Sequence, residues 1–176
     1  MRDSHATTDF DRWFDMFSPE GMIEVLKTRM VVEVELAAMA SRLAADDDQA
    51  EMALILRRLK RNVKRGRATA HVTSDFHQAL ARAGHKGLLS PMAQILCQAR
   101  LAQGIRAEHA LPDIAAGGYA SHRLLLDAIA SRDADRARDE MGEHLEIAHG
   151  WERRINVIRS ELALPAPERP RSRPSN

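Results

Sequence analysis

The 176-residue sequence is 44% hydrophobic but only 4% aromatic, and its 26 Lys and Arg against 25 Asp and Glu give a formal net charge of +1. This length suits one domain with an aliphatic core and excludes a second full domain. The balanced charge provides no global attraction to nucleic acid, membrane or acidic substrates. The single cysteine, Cys97, excludes an internal disulfide framework and argues against a cysteine-based zinc site, as expected in a reducing cytoplasm.

The sequence also argues against export and membrane insertion. Its first residues, MRDSHATTDFDRW, are polar and acidic where a signal peptide is basic and then apolar. No apolar run approaches the roughly 20 residues that span a bilayer. We therefore expect a cytoplasmic protein with no membrane partner.

Apolar residues recur at spacings of three and four along the chain, without a convincing strand pattern, so the sequence predicts an all-α fold. Residues that cap or break helices divide this pattern. They are Ser18 and Pro19 before the first long helix, Asp46, Asp47 and Asp48 before the second, Gly84 after the third, Ser90 and Pro91 before the fourth, Pro112 before the fifth and Asp133 before the sixth. The predicted helices cover about residues 18–45, 46–64, 68–83, 90–107, 113–130 and 133–162.

Finer features refine this division. An N-terminal arm over 1–17, which could include a short helix around 10–17, precedes a helical domain over 18–163. The Pro- and Arg-rich tail over 164–176 is predicted to be disordered, because it has few apolar side chains to bury. Gly117 and Gly118 predict an irregularity within the fifth helix. The basic stretch RRLKRNVKR, at the end of the second helix, is interpreted as a solvated face.

Three histidines, His77, His122 and His144, fall within the apolar stripes of three different predicted helices. A buried ring nitrogen without a partner costs about 1–3 kcal/mol, so these residues need partners. One interpretation is that they are separate core histidines with hydrogen bonds, which periodicity alone favours. The other is a shared metal centre, because neutral imidazole suits Zn, Ni, Fe or Cu. Thr73 is the one local partner expected for His77.

Arg29 and Glu33 are a second anomaly, because both charges lie within the apolar stripe of the first long helix. Their spacing of four residues fits an ion pair that satisfies itself or a neighbouring helix. The functional alternative is that Arg29 binds the carboxylate of a ligand through two guanidinium nitrogens, while Glu33 orients the Arg29 side chain.

Four segments together resemble the FadR C-terminal domain (FCD), the effector-sensing half of many GntR-type transcriptional regulators. RMVVEVELAAMASRLAA resembles the family's R-x-x-x-E opening and contains Arg29 and Glu33. SDFHQALARAGHKGLL resembles its F-H-x-x-L segment, with His77 in the metal-binding place. SHRLLLDAIASRDADRAR resembles the H-x-x-[IL]-[IL]-x-A-[IL]-x-x-x-D signature around His122, and ARDEMGEHL resembles the M-x-x-H segment that supplies His144. The similarity runs over about residues 19–158.

The resemblance implies an antiparallel bundle of six to seven helices that forms a homodimer. It also implies a divalent metal, Zn or Ni, held by His77, His122 and His144, on which a small carboxylate effector is seated. Arg29 and Glu33 are then effector-binding residues. The resemblance shifts the interpretation of the histidines towards one shared site.

The chain departs from the family pattern at two site positions. The family's acidic metal ligand lies four residues before the first histidine, where this chain has Thr73, a poor metal ligand. Ser121 replaces the usual Glu before His122. Three imidazoles with waters, Glu140 reaching inward, or a pocket without metal are the alternatives.

The front of the chain departs further. Regulators of this type carry a winged-helix DNA-binding head of about 70 residues, within the size of a small domain, whereas about 18 residues precede the first long helix here. We therefore expect the head to be absent from this chain and DNA to be a partner only if a longer chain supplies it.

The leading hypothesis is a non-enzymatic sensing and dimerisation domain of a GntR-type regulator that binds a small organic acid. The first alternative is a metal-dependent enzyme in which a three-His site leaves a position open for activated water, with Glu140 or Glu33 as base. The second is a purely structural dimer with a filled core, which Thr73 and Ser121 would favour.

Overall fold

The computed structural model describes residues 19–84, 87–110 and 114–161, which form six helices. They are α1 (Pro19–Leu43), α2 (Asp46–Lys64), α3 (Ala70–Gly84), α4 (Leu89–Ala110), α5 (Ile114–Ala130) and α6 (Ala134–Glu161). The predicted all-α fold is therefore confirmed. The predicted arm over 1–17, its short helix and the tail over 164–176 lie outside the described residues.

The predicted helix ends hold where a local capping contact defines them. The side chain of Asp133 accepts the backbone N–H of Arg136 at 3.0 Å and so caps α6. At the start of α2, the three aspartates lie in the first turn, and Asp48 accepts the backbone N–H of Ala45 at 2.9 Å. The fourth helix extends to Ala110, three residues beyond the prediction of 107.

One prediction about α5 was wrong. The helix continues through Gly117 and Gly118 without a break. Glycine lowers helix propensity, but the packing of α5 against α2 and α6 outweighs this local preference. A Cβ at Gly118 would meet nothing within 4 Å, whereas one at Gly117 would lie 3.9 Å from the ring of Trp151.

Helix α1 lies at the centre of the bundle and packs against α3, α4, α5 and α6. It runs antiparallel to α6, because Glu35 contacts Arg138 while Ser41, further along α1, contacts the earlier residue Arg132. Helices α2 and α3 are antiparallel as well, with ion pairs from Arg58 to Asp75 and from Glu51 to Arg82. The described helices thus form the bundle that the family resemblance implies.

The approach of α1 to α3 depends on Gly84. A Cβ atom there would lie 2.5 Å from the backbone oxygen of Leu36, so this contact has room only for glycine. Gly84 was predicted only as a helix end, and it is indeed the last residue of α3. The close approach brings the faces of α1 and α3 that contain Glu33 and His77 together.

The core is mainly aliphatic and joins all six described helices, with α4 contributing Ala93. Its largest buried side chains are Leu36, Met52, Leu59, Phe76, Leu80, Leu125, Ile129, Met141 and Leu145. The basic residues of the stretch 57–65 are exposed, in agreement with the predicted solvated face. Among the described residues, no helix has the length and apolar character needed to cross a membrane.

Candidate metal centre

Three imidazole rings from three helices meet in the interior of the bundle. His77 of α3, His122 of α5 and His144 of α6 are each 2% exposed or less. The Nε2 atom of His77 lies 3.2 Å from the Nε2 of His122 and 3.2 Å from the Nε2 of His144. The structure thus brings together the three rings that the sequence singled out, here called the three-histidine centre.

The helical register explains this convergence. Each histidine occupies a core-facing position, with Leu125 and Ile129 following His122 along α5, and Met141 and Leu145 flanking His144 on α6. Phe76 packs its ring edge-to-face against His122 with centroids 4.9 Å apart. The rings are therefore held by the same packing that builds the core.

The outer nitrogen of each ring has a partner of its own. The Nδ1 of His77 lies 2.6 Å from Glu33 Oε2, and the Nδ1 of His122 lies 2.5 Å from the backbone oxygen of Gly118. The Nδ1 of His144 lies 2.9 Å from the hydroxyl oxygen of Ser121. Carboxylate and carbonyl oxygens only accept hydrogen bonds, so His77 and His122 donate from Nδ1 and present unprotonated Nε2 atoms to the centre.

Two unprotonated Nε2 atoms facing each other at 3.2 Å repel, unless a proton or a cation lies among them. A tetrahedral ion with metal–nitrogen distances of about 2.0–2.1 Å separates its ligand nitrogens by about 3.3–3.4 Å. The observed spacings of 3.2 Å are close to this value. Bonds from the outer nitrogens to a carboxylate and a carbonyl are also the usual support of metal-ligating histidines. The residues present therefore fit a divalent metal bound by three histidines.

Glu33 is the carboxylate that supports the first ring, and Arg29 holds it in place. Arg29 Nε donates to Glu33 Oε1 at 2.5 Å, and Arg29 Nη2 donates to Glu33 Oε2 at 3.2 Å. Burial alone would raise the pKa of the Glu33 carboxyl, but Arg29 and His77 hold this pKa well below its ordinary value. Glu33 is therefore ionised and accepts hydrogen bonds from both neighbours.

This geometry joins the two anomalies of the sequence. The expected ion pair between Arg29 and Glu33 is present, and Glu33 also reaches the neighbouring helix through His77, 44 residues away in the chain. The fork of Arg29 is directed at Glu33, so its Nε and Nη2 are already engaged. Its Nη1 is the only buried side-chain nitrogen or oxygen atom without a hydrogen-bond partner in the part of the chain that the structure describes.

Thr73 and Glu140, the two residues considered near the position of the family's acidic ligand, make contacts away from the three-histidine centre. The Thr73 hydroxyl donates to the backbone oxygen of Thr69 at 3.0 Å, while His77 takes Glu33 as its Nδ1 partner in place of the expected Thr73. Glu140 pairs with Arg136 at 3.5 Å on its own helix. In the described ranges, the group of converging metal-ligating atoms consists of the three histidines, within 4.8 Å of one another, and contains no carboxylate.

Sequence reasoning missed the supporting roles of Ser121 and of the Gly118 carbonyl. Ser121 was noted only as a departure from the family pattern, although its place directly before His122 was visible. The position of Gly118 four residues before His122 was the available signal, since this spacing places a backbone oxygen beside the ring on a helix. The contact of Ser121 with His144 has no local signal, because it joins two helices.

The chain resembles known proteins over most of its length. The FCD domain family matches residues 24–147. The Uxu operon regulator of Haemophilus influenzae is 29% identical over an alignment 132 residues long, and the match covers 72% of this chain and 49% of the regulator. Among solved structures, Streptococcus agalactiae GntR matches with a TM-score of 0.63 at 16% identity, and the match covers 81% of this chain and 61% of that one. This similarity concerns the fold. The chain spans about half the length of the Uxu operon regulator.

Proposed function

This chain belongs to the FCD domain family, and on that premise we propose that it is the effector-binding and dimerisation domain of a GntR-type transcriptional regulator. In this proposal it binds a small organic acid with the help of a divalent metal, and it acts as a sensor in the cytoplasm without catalysing a reaction. The observation that carries the proposal is the convergence of three buried rings, in which the Nε2 of His77 lies 3.2 Å from the Nε2 of each of the other two.

His77, His122 and His144 would hold the metal, with Zn²⁺ or Ni²⁺ favoured by an all-imidazole ligand set. The ion would supply a positive charge for a carboxylate, and three protein ligands leave at least one coordination position open. Glu33 would fix the orientation of His77 through its bond to Nδ1. Because the Glu33 charge is balanced by Arg29, the metal charge would remain available for an anionic ligand.

Arg29 supports the organic-acid part of the proposal. An unsatisfied buried donor costs about 1–3 kcal/mol, and the Nη1 of Arg29 is such a donor. A carboxylate that accepts a hydrogen bond from Nη1 would remove this cost. In contrast to two-nitrogen capture by a free guanidinium, this chain offers the acid one nitrogen of Arg29, because Glu33 holds the other two.

The residues of the site come from several helices, so that a bound effector could change how these helices pack together. Arg29 and Glu33 come from α1, and the three rings come from α3, α5 and α6. A ligand bound at this point would lie among residues of four of the six described helices, and it would shift the bundle only if it bound one arrangement more tightly than another. DNA enters the proposal only through a winged-helix head on a longer chain.

An exposed apolar stripe supports the homodimer. Leu88, Met92 and Ile95 are spaced by four and three residues at the start of α4 and are 76%, 41% and 47% exposed. Such a stripe favours a protein partner, and a second copy of the chain is the simplest. Light scattering should give twice the chain mass for the wild type and the single chain mass for Ile95→Lys. A wild type that stays monomeric at high concentration contradicts the dimer.

The metal and effector are tested together on protein purified without a histidine tag. We expect about one Zn or Ni ion per chain by elemental analysis, and a thermal shift with a subset of a library of small carboxylic acids. The shift should disappear when the metal is chelated and should weaken in Arg29→Lys. Arg138→Lys is the matched control, because it changes a partly exposed arginine that also bonds a glutamate of α1. Hydrolase activity of the metal-loaded protein would favour the enzyme alternative, and neither metal nor a thermal shift would favour the structural dimer.

A further inference from the structure

The three rings differ in one chemical respect, which is the kind of partner at Nδ1. His77 faces the Glu33 carboxylate and His122 faces the Gly118 backbone oxygen, both of which only accept. His144 faces the hydroxyl of Ser121, which can either donate or accept. His144 is therefore the one ring of the centre whose partner leaves the position of its proton open.

Ser121 has a suitable partner for either role. Its Oγ lies 2.9 Å from His144 Nδ1, 3.1 Å from the backbone oxygen of Gly118 and 3.3 Å from that of Gly117. When the Ser121 hydroxyl donates to one of these backbone oxygens, it accepts from His144 Nδ1–H. When it donates to His144 Nδ1 instead, the ring proton must lie on Nε2.

The arrangement with the His144 proton on Nε2 reduces the repulsion between ring nitrogens in the centre without metal. There the Nε2 atoms of His77 and His122 are both acceptors, 3.2 Å apart. A proton on His144 Nε2 supplies a donor among them and forms a hydrogen bond to His77 Nε2 at 3.2 Å. This arrangement buries no additional charge, because all three rings remain neutral.

We propose that Ser121 is a two-way positioning residue that lets His144 exchange tautomers, with its proton on Nε2 in the metal-free protein and on Nδ1 when the centre binds metal. The exchange needs a rotation of the Ser121 hydroxyl and the transfer of one proton between the two nitrogens of the same ring, by way of solvent. The metal-free half stands on the contacts alone, and the metal-bound half rests on the proposed function.

The direct test is a long-range ¹H–¹⁵N spectrum of protein labelled at histidine, recorded without metal at a pH well above the ordinary histidine pKa of about 6.5. We expect His77 and His122 to be protonated at Nδ1 and His144 at Nε2. One equivalent of Zn²⁺ should move the proton of His144 to Nδ1 and leave the other two tautomers unchanged. A metal-free His144 protonated at Nδ1, or at both nitrogens, overturns the proposal.

Three variants separate the role of Ser121 from a general effect on folding. Ser121→Asp offers only acceptors, so His144 should be protonated at Nδ1 even without metal. Ser121→Ala leaves Nδ1–H without its acceptor in the metal-bound form, and the zinc dissociation constant should rise about 10- to 100-fold. Ser131→Ala, which removes a hydroxyl bonded to the Ala128 backbone oxygen just after α5, should change neither the tautomer nor the zinc affinity.

The outcomes distinguish this proposal from the proposed function. A protein that takes up no zinc contradicts the metal-dependent function, and the metal-free spectra of wild type and Ser121→Asp then decide the tautomer by themselves. Zinc uptake by a protein whose His144 is already protonated at Nδ1 without metal, or Ser121→Asp that keeps the proton on Nε2, contradicts the role of Ser121 and leaves the metal site standing. Zinc uptake with the His144 proton still on Nε2 would contradict both, because a protonated Nε2 cannot bind the ion.

Discussion

Two glutamates of α1, Glu33 and Glu35, make nearly the same contact in opposite surroundings. Arg29 bonds Glu33 through Nε and Nη2 at 2.5 and 3.2 Å, and Arg138 bonds Glu35 through the same two atoms at 2.9 and 3.2 Å. The Glu33 side chain is 3% exposed, whereas that of Glu35 is 54% exposed. The two forks share this geometry but differ in burial and in their further partners, which are His77 for Glu33 and Asp135 for Arg138.

The comparison teaches what a buried ion pair does that a surface pair cannot. Water competes for the charges of Glu35, and exposed pairs of this kind contribute about 0–1 kcal/mol to stability. Water is excluded from Glu33, so its charge acts strongly on the one further group it touches, the Nδ1–H of His77. The buried pair thus fixes the proton of a ring in the three-histidine centre, and the surface pair only links α1 to α6.

The largest difference should appear when each glutamate loses its charge. Glu33→Gln leaves the Arg29 charge buried without compensation, and we expect a loss of about 3–5 kcal/mol in the free energy of unfolding. Glu35→Gln should lose at most about 1 kcal/mol. Urea denaturation of both variants and the wild type, without added metal, measures the difference. Equal losses of unfolding free energy in the two variants would mean that the buried pair contributes no more to stability than the surface pair.

The second effect concerns the stabilisation by bound metal, which should depend on the buried three-histidine centre and not on the surface pair. Zn²⁺ at a free concentration of 100 times its dissociation constant should raise the unfolding free energy of the wild type by about 2.7 kcal/mol. His122→Gln, which removes one of the three ligand nitrogens, should lose this gain, while Glu35→Gln should keep it. Denaturation with and without Zn²⁺ checks both. A gain that survives in His122→Gln would place the ion elsewhere.

The arginines provide a third, smaller contrast. Arg29→Lys keeps the charge but loses the two-nitrogen fork, so one hydrogen bond to an ionised group is removed, at a cost of about 1.5–3 kcal/mol. Arg138→Lys should cost clearly less, because water competes for the charges of the pair with Glu35. Thermal unfolding of the two variants distinguishes these values. A loss at Arg138 as large as that at Arg29 would refute the account of the forks.

The smallest effect is the pH dependence of the surface pair. The hydrogen bond from Arg138 holds the pKa of the Glu35 carboxyl below its ordinary value, so the contribution of the pair is present above the unfolded pKa and is lost as pH falls through the folded pKa. Carboxyl NMR titration should show the lowered pKa in the wild type and an upward shift in Arg138→Gln. A Glu35 pKa that does not respond to the loss of Arg138 would show that the fork is not formed in solution.

The same comparison shows which parts were predictable from the sequence. The spacing of Arg29 and Glu33 within one apolar stripe indicated a buried ion pair as one of two interpretations, because helical periodicity is a local property. The histidine stripes predicted core-facing rings for the same reason. Helix bounds were predicted well where capping residues mark them, as at Asp133. The irregularity predicted from the glycines of α5 was wrong, because helix packing outweighed their low helix propensity.

The remaining features depend on contacts between helices, which leave no periodic signal. The partner of Glu33 on α3 is 44 residues away, and the partner of His144 on α5 is 23 residues away. The resemblance indicated that the rings share a site, but it did not indicate that Glu33 supports His77 or that Ser121 supports His144. The role of Gly84 was likewise hidden, because it arises from the backbone of a different helix.

The central claim is that His77, His122 and His144 bind one metal ion through their Nε2 atoms. X-ray absorption at the zinc edge, on the full chain loaded with one equivalent of Zn²⁺, tests it most directly. We predict three imidazole nitrogens at about 2.0–2.1 Å, and one fewer in each single His→Gln variant. Zinc that binds with no imidazole ligands, or with a ligand set that these three substitutions leave unchanged, would contradict the claim.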